Sequence, residues 1–190
     1  MTINRPNRRQ VSGLMLTGLL AGASNGARAQ MANPDGKITV SLATATPGGG
    51  FPVFGDAFIG AISAMDPSIT IVPRNTKGSA ENIPLLDREE VDLGLVQGEA
   101  AYEALNGIGG KRVELPIFSA IYSSPGMFVV KADAPYRSIA DLKGKAIAFG
   151  AAGSGLVLLA RYVLDGLVLS QSGDFQAVYL ERAGDGPAMV

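Results

Sequence analysis

Two glycine-rich stretches contain the residues of this sequence that are best suited to bind a small molecule. One runs from Gly48 to Phe51, and the other, with the sequence GAAGSG, runs from Gly150 to Gly155. Each follows an apolar run and precedes apolar residues at helical spacing, so each is predicted to join a strand to a helix. Glycines leave the backbone N–H groups uncovered, and the N-terminus of the next helix points to the same place. This pattern favours the binding of a small anion by main-chain amides.

Neither glycine loop matches a nucleotide-binding fingerprint. The first has Asp56 where a P-loop requires lysine, and the second reads G-x-x-G-x-G, which reverses the dinucleotide-binding order. Ala152 stands where the G-x-S-x-G motif requires its first glycine, so Ser154 is not predicted to be a nucleophile. An alternative stays open, in which the glycines only make tight strand-to-helix turns. Two such loops, one in each predicted lobe, favour a ligand held between them.

The composition argues against several classes of protein. The chain has 190 residues, 47% of them hydrophobic, a net charge of −1, no cysteine and no histidine. Because the basic and acidic residues are interspersed, a nucleic-acid partner is not predicted. Without cysteine and histidine there are no thiolate metal sites, no Ser-His triads and none of the commonest general bases. The sequence therefore favours a binding protein over an enzyme, with no cofactor and no metal site.

Residues 1–29 are predicted to be an export signal. Arginines precede a weakly apolar run at 11–23, and cleavage is expected after Ala29. The run is too short and too rich in Gly, Ser and Thr to span a bilayer core of about 30 Å, so a membrane anchor is the weaker alternative. The Arg8-Arg9 pair indicates twin-arginine export, but the residues after it fit that consensus poorly. A periplasmic location is expected, by the Sec or the twin-arginine route.

The elements that position the first loop alternate between strands and helices. The strands are expected at 38–42, 69–72 and 91–96. The helix after the first loop is expected to bury Phe54, Phe58, Ile62 and Met65. Ser79 is predicted to be the N-cap of the second helix. This alternation predicts a parallel sheet that is covered by helices on both faces.

The alternation is interrupted after Lys111. Apolar runs at 115–122 and 127–130 are too close together for a helix between them, so the chain is expected to cross into a second lobe here. In that lobe a capped turn is predicted at Ser138–Asp141, and strands are predicted at 145–149 and 175–180. Its helix is expected to bury Leu156, Leu159, Ala160, Val163 and Leu167. The predicted lobes are 30–122 and 123–190, and the second is expected to be incomplete.

Five segments, taken in order, resemble the TAXI-type solute receptors of TRAP transporters. They are Gly48–Gly55, Gly78–Asn82, Val91–Gln97, Ala140–Lys145 and Gly150–Gly155. The resemblance implies an α/β protein of the two-lobe, type II periplasmic binding protein kind, with mainly parallel sheets and helices on both faces. It implies capture of a small organic anion, such as glutamate or a dicarboxylate, between the lobes. Delivery to a sodium-coupled TRAP permease by a monomeric, non-catalytic receptor is then expected.

The resemblance also implies which positions contact the ligand. They are Gly49, Gly50, Phe51, Ser79, Asn82, Gln97, Gly153 and Ser154, with Tyr122 at the crossover as a weaker candidate. Pro52 replaces the second of two aromatic residues that the family usually has after the first glycines, which is expected to alter the shape of the ligand. The family's chain continues beyond Val190, so a fragment is expected.

Three other functions stay open at this point. The receptor of an ABC importer would have the same lobes and a different membrane partner. A cytoplasmic enzyme can have the same two-lobe fold, although the predicted export signal and the lack of histidine argue against it. A ligand-sensing receptor domain would be expected with a membrane segment or a signalling module.

Overall fold

The computed structural model describes residues 36–190, so the predicted export signal lies outside the described residues. Residues 38–106 form a first α/β unit. Its elements are β1 (Ile38–Ala43), α1 (Gly50–Met65), β2 (Ile69–Arg74), α2 (Ser79–Asp87), β3 (Leu93–Gly94) and α3 (Gly98–Asn106). The strands pair in the order β2-β1-β3, and both pairings are parallel. The parallel sheet predicted for the first lobe is confirmed.

This first sheet is covered on both faces, as predicted. Leu42 packs with Ile71 and Leu95, in the cluster that α1 covers, whereas its neighbour Ala43 packs with Leu85 and Val91. Successive strand residues point to opposite faces, so these are two separate cores. The chain turns from β1 to β2 on one side and then crosses to β3 on the other. With right-handed crossovers, α1 and α2 therefore lie on opposite faces of the sheet.

The apolar stripe of α1 is confirmed except at its end. Phe54, Phe58 and Ile62 pack against the core beneath the helix. Met65 is 82% exposed, so its predicted burial is wrong. It is the last residue of α1 and lies near the amino-terminal edge of the sheet, where Ile38 is also exposed. At this edge the strands do not extend far enough to cover the Met65 side chain.

Residues 139–189 form a second α/β unit. Its elements are a 3-10 segment (Ile139–Leu142), β4 (Ala146–Ala151), α4 (Gly155–Gly166), β5 (Gln176–Leu180) and a C-terminal 3-10 segment (Ala183–Met189). The two strands are parallel, with a bulge between Ala148 and Gly150. The rings of Phe149 and Phe175 meet edge to face, with centroids 6.1 Å apart, in a core that also contains Leu164. The predicted α/β fold class with parallel sheets is confirmed.

The capped turn predicted at Ser138 is present as a capping box. The carboxylate of Asp141 accepts hydrogen bonds from the backbone N–H groups of Arg137 and Ser138, each at 2.8 Å. Both bonds lower the pKa of Asp141 from its usual value, and the bond from Arg137 has the larger effect.

The buried face of α4 differs from the predicted one. Leu156 and Leu167 are 46% and 50% exposed, whereas Leu164 is completely buried. Leu156, Ala160 and Val163 line a cavity of about 1040 Å³ that is bounded by residues 126–136 and 186–190. The predicted burial is therefore wrong at Leu156 and Leu167, whereas Ala160 packs against the core of the second unit. A sheet of two strands covers only part of the helix.

The apolar runs at 115–122 and 127–130 lie in a stretch that the structure describes without helix or strand. Several of their large side chains are exposed, among them Phe118 and Met127, each at 77%. Within residues 36–190, no helix is long and apolar enough to cross a membrane.

Candidate functional site

The chain order creates a topological switch at the carboxyl edge of the first sheet. From β1 the chain goes to β2 on one side and then to β3 on the other. In open parallel sheets, ligands bind in the crevice outside the carboxyl ends of the strands at such a switch. The first glycine loop leaves β1 at this edge, and Gln97 lies between β3 and α3. The topology therefore places the first glycine loop and Gln97, both predicted site segments, at this edge of the sheet.

The helices α1 to α4 all begin without a side-chain cap. Their N-cap residues are Gly49, Gly78, Gln97 and Ser154, and none of these side chains bonds to its own helix. The first amides of a helix have no partner within the helix, and the helix dipole makes this end positive. A helix start without a side-chain cap is a place where backbone amides can bond to an anion, but at α2 the N–H groups of Ala80 and Glu81 already donate to the carbonyl oxygens of Gly153 and Gly78.

The second glycine loop packs directly onto the N-terminus of α2. The backbone N–H of Ala80 donates to the carbonyl oxygen of Gly153 at 3.1 Å. A Cβ on Gly78 would lie 3.1 Å from the Cα of Ser154. Gly78 and Gly153 have φ values of 107° and 81°, in the left-handed region that favours glycine. Here the glycines serve both the backbone conformation and the close approach of the two units.

Ser79 joins the starts of two helices. The structure makes Gly78 the N-cap of α2 and Ser79 its first residue, so the predicted capping role of Ser79 is wrong. The Ser79 hydroxyl instead accepts a hydrogen bond from the backbone N–H of Gln97 at 3.0 Å. The Ser79 side chain is buried between the starts of α2 and α3, with 1% exposure.

Asn82 is a completely buried side chain with three hydrogen bonds. Its Nδ2 donates to the carbonyl oxygens of Thr44 and Leu95 at 2.7 and 2.8 Å, and its Oδ1 accepts from the Thr76 hydroxyl at 2.7 Å. These bonds use both amide hydrogens. Asn82 therefore holds together the segments that follow the three strands, and a direct contact with ligand stays a prediction.

Two buried side-chain oxygens have no hydrogen-bond partner within the described part of the chain. They are the hydroxyl oxygen of Ser154 and Oε2 of Glu99. An unpaired buried polar group costs about 1–3 kcal/mol, so each marks a place where a hydrogen-bonding partner would stabilise the protein. Ser154 is the N-cap of α4 and lies against Gly78, the N-cap of α2.

The helices α3 and α4 lie side by side with their N-termini together. Gln97, at the start of α3, lies against Gly155, at the start of α4. Further along, Glu103 of α3 forms an ion pair with Arg161 of α4. Glu99 and Glu103 are four residues apart and so share the helix face that is turned to α4. The unpaired oxygen of Glu99 therefore lies near the start of α4.

A cavity of about 440 Å³ adjoins this cluster of helix starts. Ser79, Ser154 and Gly155 contribute to its wall, together with apolar side chains such as Ile83 and Leu158. Small-molecule sites are usually concave, of a few hundred Å³, and mostly apolar with a few convergent polar groups. The size and lining of the cavity fit a small organic molecule.

The first glycine loop forms a second group of candidate residues. A Cβ on Gly50 would lie 3.5 Å from the hydroxyl oxygen of Tyr122, whose ring lies 5.4 Å from that of Phe54. Burial raises the pKa of the Tyr122 hydroxyl, which stays protonated and can donate. Phe51 packs on the core beneath α1. A Cβ on Gly49 would lie 3.5 Å from the Cβ of Ala183, at the start of the C-terminal 3-10 segment.

Six of the predicted site residues lie in two groups along the contact surface between the two α/β units, which we call the seam. In it, loops at 46–50, 77–80 and 97 of the first unit meet residues 153–155 and 183–184 of the second. One group contains Ser79, Gln97, Gly153 and Ser154, and the other contains Gly49 and Gly50; Phe51 packs on the core beneath α1, and Tyr122 lies beside Gly50. Sequence reasoning missed Gly155 and Glu99. Both could have been noticed in the sequence: Gly155 is the last glycine of the second loop, and Glu99 directly follows Gln97-Gly98.

The described residues contain no group of three or more acidic side chains that could hold a metal ion, and the chain has neither histidine nor cysteine. Among solved structures, the chain is similar to the periplasmic aliphatic sulphonate binding protein SsuA from Escherichia coli, with 22% identity and a TM-score of 0.43. The match covers 75% of this chain and 44% of that one, so this chain spans less than half the length of SsuA. A family model matches residues 42–189, which is more than half of the sequence. The chain therefore belongs to the NMT1-like family.

Proposed function

We propose that this chain is the ligand-binding part of an extracytoplasmic solute receptor, which holds a small organic anion at the seam without changing it chemically. The observation that carries the proposal is the buried hydroxyl of Ser154, which has no partner among the described residues and lies at the start of α4, beside the start of α2. Each hydrogen bond to a charged acceptor contributes about 1.5–3 kcal/mol. Four to six such bonds, less the freedom lost on binding, are enough for micromolar affinity, which requires about −8 kcal/mol.

The proposed mechanism is closure of the two α/β units on the ligand. An anion that bonds to amides of both units interacts with them together only when the seam is closed. It therefore stabilises the closed state by its difference in affinity for the two states. A membrane protein can recognise the closed shape and accept the ligand from it. Export to the periplasm and action as a monomer belong to the same proposal.

The resemblance to TAXI-type receptors supports a TRAP permease as the membrane partner and a carboxylate, such as glutamate or a dicarboxylate, as the ligand. The alternative is the binding protein of an ABC importer. The neighbouring genes distinguish the two: a large polytopic permease supports the first, and an ATPase gene supports the second.

The proposal is tested by Ser154→Ala in the full chain, with Ser119→Ala as the matched control, since Ser119 is an exposed serine outside the seam. Thermal shift is measured with glutamate, succinate and glutarate as probes. At least one probe should raise the Tm of the wild type, because a ligand that binds only the folded state stabilises it. Ser154→Ala should weaken that binding by about 10-fold to 100-fold, with the melting temperature of the free protein unchanged or raised, because the lost hydroxyl was unpaired.

Two results would contradict the proposal. The first is that none of the probes, nor any wider panel of carboxylates, sulfonates and phosphates, raises the Tm of the wild type. The second is that the titration curves of Ser154→Ala and the wild type coincide. Ser119→Ala should titrate as the wild type does, and a loss there would show that the assay reports general destabilisation.

A further inference from the structure

We infer that Gly155 sets the distance at which the two α/β units close, and thereby selects the ligand by size. This inference rests on the proposed function for its ligand, but the contact itself is structural. A Cβ on Gly155 would lie 2.2 Å from the Cβ of Gln97 and 2.8 Å from the Ser79 hydroxyl oxygen. The first distance is far shorter than the 3.5–4.0 Å of an ordinary carbon contact, and the second is also shorter than real Cβ contacts. In the arrangement of the structure, no side chain fits at position 155.

The backbone of Gly155 does not itself require glycine. Gly150 and Gly153, in the same loop, have φ values of 116° and 81°, whereas Gly155 is not among the glycines with positive φ. It is the first residue of α4, where alanine is normally a better helix former than glycine. Close approach to the first unit is therefore the physical reason for glycine at this position.

The facing wall cannot easily move away. The atom that a new methyl group would meet is the Cβ of Gln97, which is attached to the backbone. That backbone is bonded through its N–H to the Ser79 hydroxyl. Ser79 itself is buried at the start of α2, three residues before Asn82 and its three bonds. The first unit is thus braced at this point, and α4 has to shift.

The required shift is large compared with the tolerance of a hydrogen bond. Restoring a normal carbon contact from 2.2 Å moves the start of α4 by about 1.5 Å. N–H···O bonds occupy a range of about 0.5 Å, so the bond from Ala80 to Gly153 would break. The hydroxyl of Ser154 and the first amides of α4 would retreat from the first unit by the same distance. A small anion could then no longer reach both units, whereas a longer one could.

The first test compares Gly155→Ala with Gly166→Ala in the full chain. Gly166 lies at the other end of α4, and a Cβ there would have no neighbour within 4 Å. The probes are succinate, glutarate and adipate, which differ only in length. Gly155→Ala should bind the shortest active probe at least 10-fold more weakly and shift the preference towards longer probes, while Gly166→Ala keeps the wild-type order. Equal losses for all lengths, or wild-type titrations, would overturn the inference.

The second test needs no ligand. The chain has no cysteine, so Gly49→Cys with Ala183→Cys introduces a single pair, whose Cβ atoms would be 3.5 Å apart across the seam. That separation suits a disulfide. Adding Gly155→Ala should slow its formation in oxidised glutathione at least fivefold, and adding Gly166→Ala should not. An unchanged rate in the Gly155→Ala background would refute the inference, even if no probe binds and the proposed function fails.

Replacing Gln97 with glycine provides the rescue. Gln97→Gly removes the Cβ that a methyl group at position 155 would meet at 2.2 Å. Combined with Gly155→Ala, it should restore part of the rate of disulfide formation, because the Ser79 hydroxyl oxygen still lies 2.8 Å from the new Cβ. If Gly155→Ala alone lacks a cooperative melt, the double variant still decides the question, because a contact at this point predicts recovery of folding and of cross-linking. No recovery would contradict the inference.

Discussion

Replacing Asn82 with alanine should destabilise the protein whether or not a ligand is present. The change removes the two bonds that Nδ2 donates to the carbonyl oxygens of Thr44 and Leu95, and the bond that Oδ1 accepts from Thr76. These partners follow β1, β3 and β2 respectively. One side chain thus ties the carboxyl ends of the three strands, in a position with no exposure to solvent.

The magnitude follows from which groups are left without a partner. Without Asn82, the single hydrogen of the Thr76 hydroxyl is free to bond to the Thr44 carbonyl oxygen at 3.2 Å, and that hydroxyl still accepts from the backbone N–H of Gly78. The Leu95 carbonyl loses the donor that Asn82 supplies. One unpaired buried acceptor costs about 1–3 kcal/mol, and a small cavity adds to this. We expect Asn82→Ala to lower the free energy of unfolding by roughly 2–4 kcal/mol.

Urea unfolding followed by circular dichroism measures this loss in the free protein. Asn106→Ala is the matched control, because its amide donates to the Tyr102 carbonyl at an exposed site. The control should change the free energy of unfolding by about 0.5 kcal/mol or less. A loss below about 1 kcal/mol for Asn82→Ala would refute the bracing argument. If that variant instead lost only ligand affinity, Asn82 would be a ligand contact and not a brace.

Three further predictions concern charge and exposure. Glu99→Gln removes a negative charge near the start of α4, so it should tighten the binding of a dicarboxylate by about 1 kcal/mol, roughly fivefold. A thermal-shift titration measures this change, and unchanged or weaker binding would contradict the prediction. The pKa of Asp141 is lowered by the N–H groups of Arg137 and Ser138, so its contribution to stability is present above the unfolded pKa of about 4 and is lost as the pH falls through the folded pKa. The Tm difference between the wild type and Asp141→Asn should therefore be positive at pH 7 and shrink towards pH 2, and a difference independent of pH would refute this. Phe118, 77% exposed, should tolerate serine with a change in unfolding free energy of about 0.5 kcal/mol or less and with less light scattering on heating; a larger loss of stability would show that the ring is packed.

Local patterns predicted most of the secondary structure. The alternating and β-branched run before the first glycines became β1, and the three- and four-residue spacing after them became α1. The Ser138–Asp141 pattern became a capping box. These predictions hold because hydrophobic periodicity and capping depend on residues close in sequence, which interact in much the same way in any fold.

The errors occur where a distant segment decides the environment. Ser79 reads as an N-cap in sequence, but its hydroxyl bonds to the N–H of Gln97, 18 residues away. Leu156 and Leu167 fit the stripe of an amphipathic helix, yet both are about half exposed, because the sheet beneath α4 has only two strands. Met65 belongs to the apolar pattern that correctly predicted the buried face of α1, but it lies beyond the edge of the sheet and is exposed. Periodicity indicates that a helix has an apolar face, but it does not indicate how much surface is there to cover that face.

The candidate site divides in the same way. Two glycine loops before helices can be read from the sequence, since glycine spacing and helix starts are local properties. Only the tertiary structure brings Gly155 against Gln97, leaves the Ser154 hydroxyl buried without a partner among the described residues, and gives all the bonds of Asn82 to the strand ends. The physical reason is that such contacts join residues far apart in the chain, 58 positions in the case of Glu103 and Arg161, and depend on how two sheets dock. Glycine spacing before helices thus predicts where amides could face an anion, and the packing of the two sheets and their helices sets which of these segments meet.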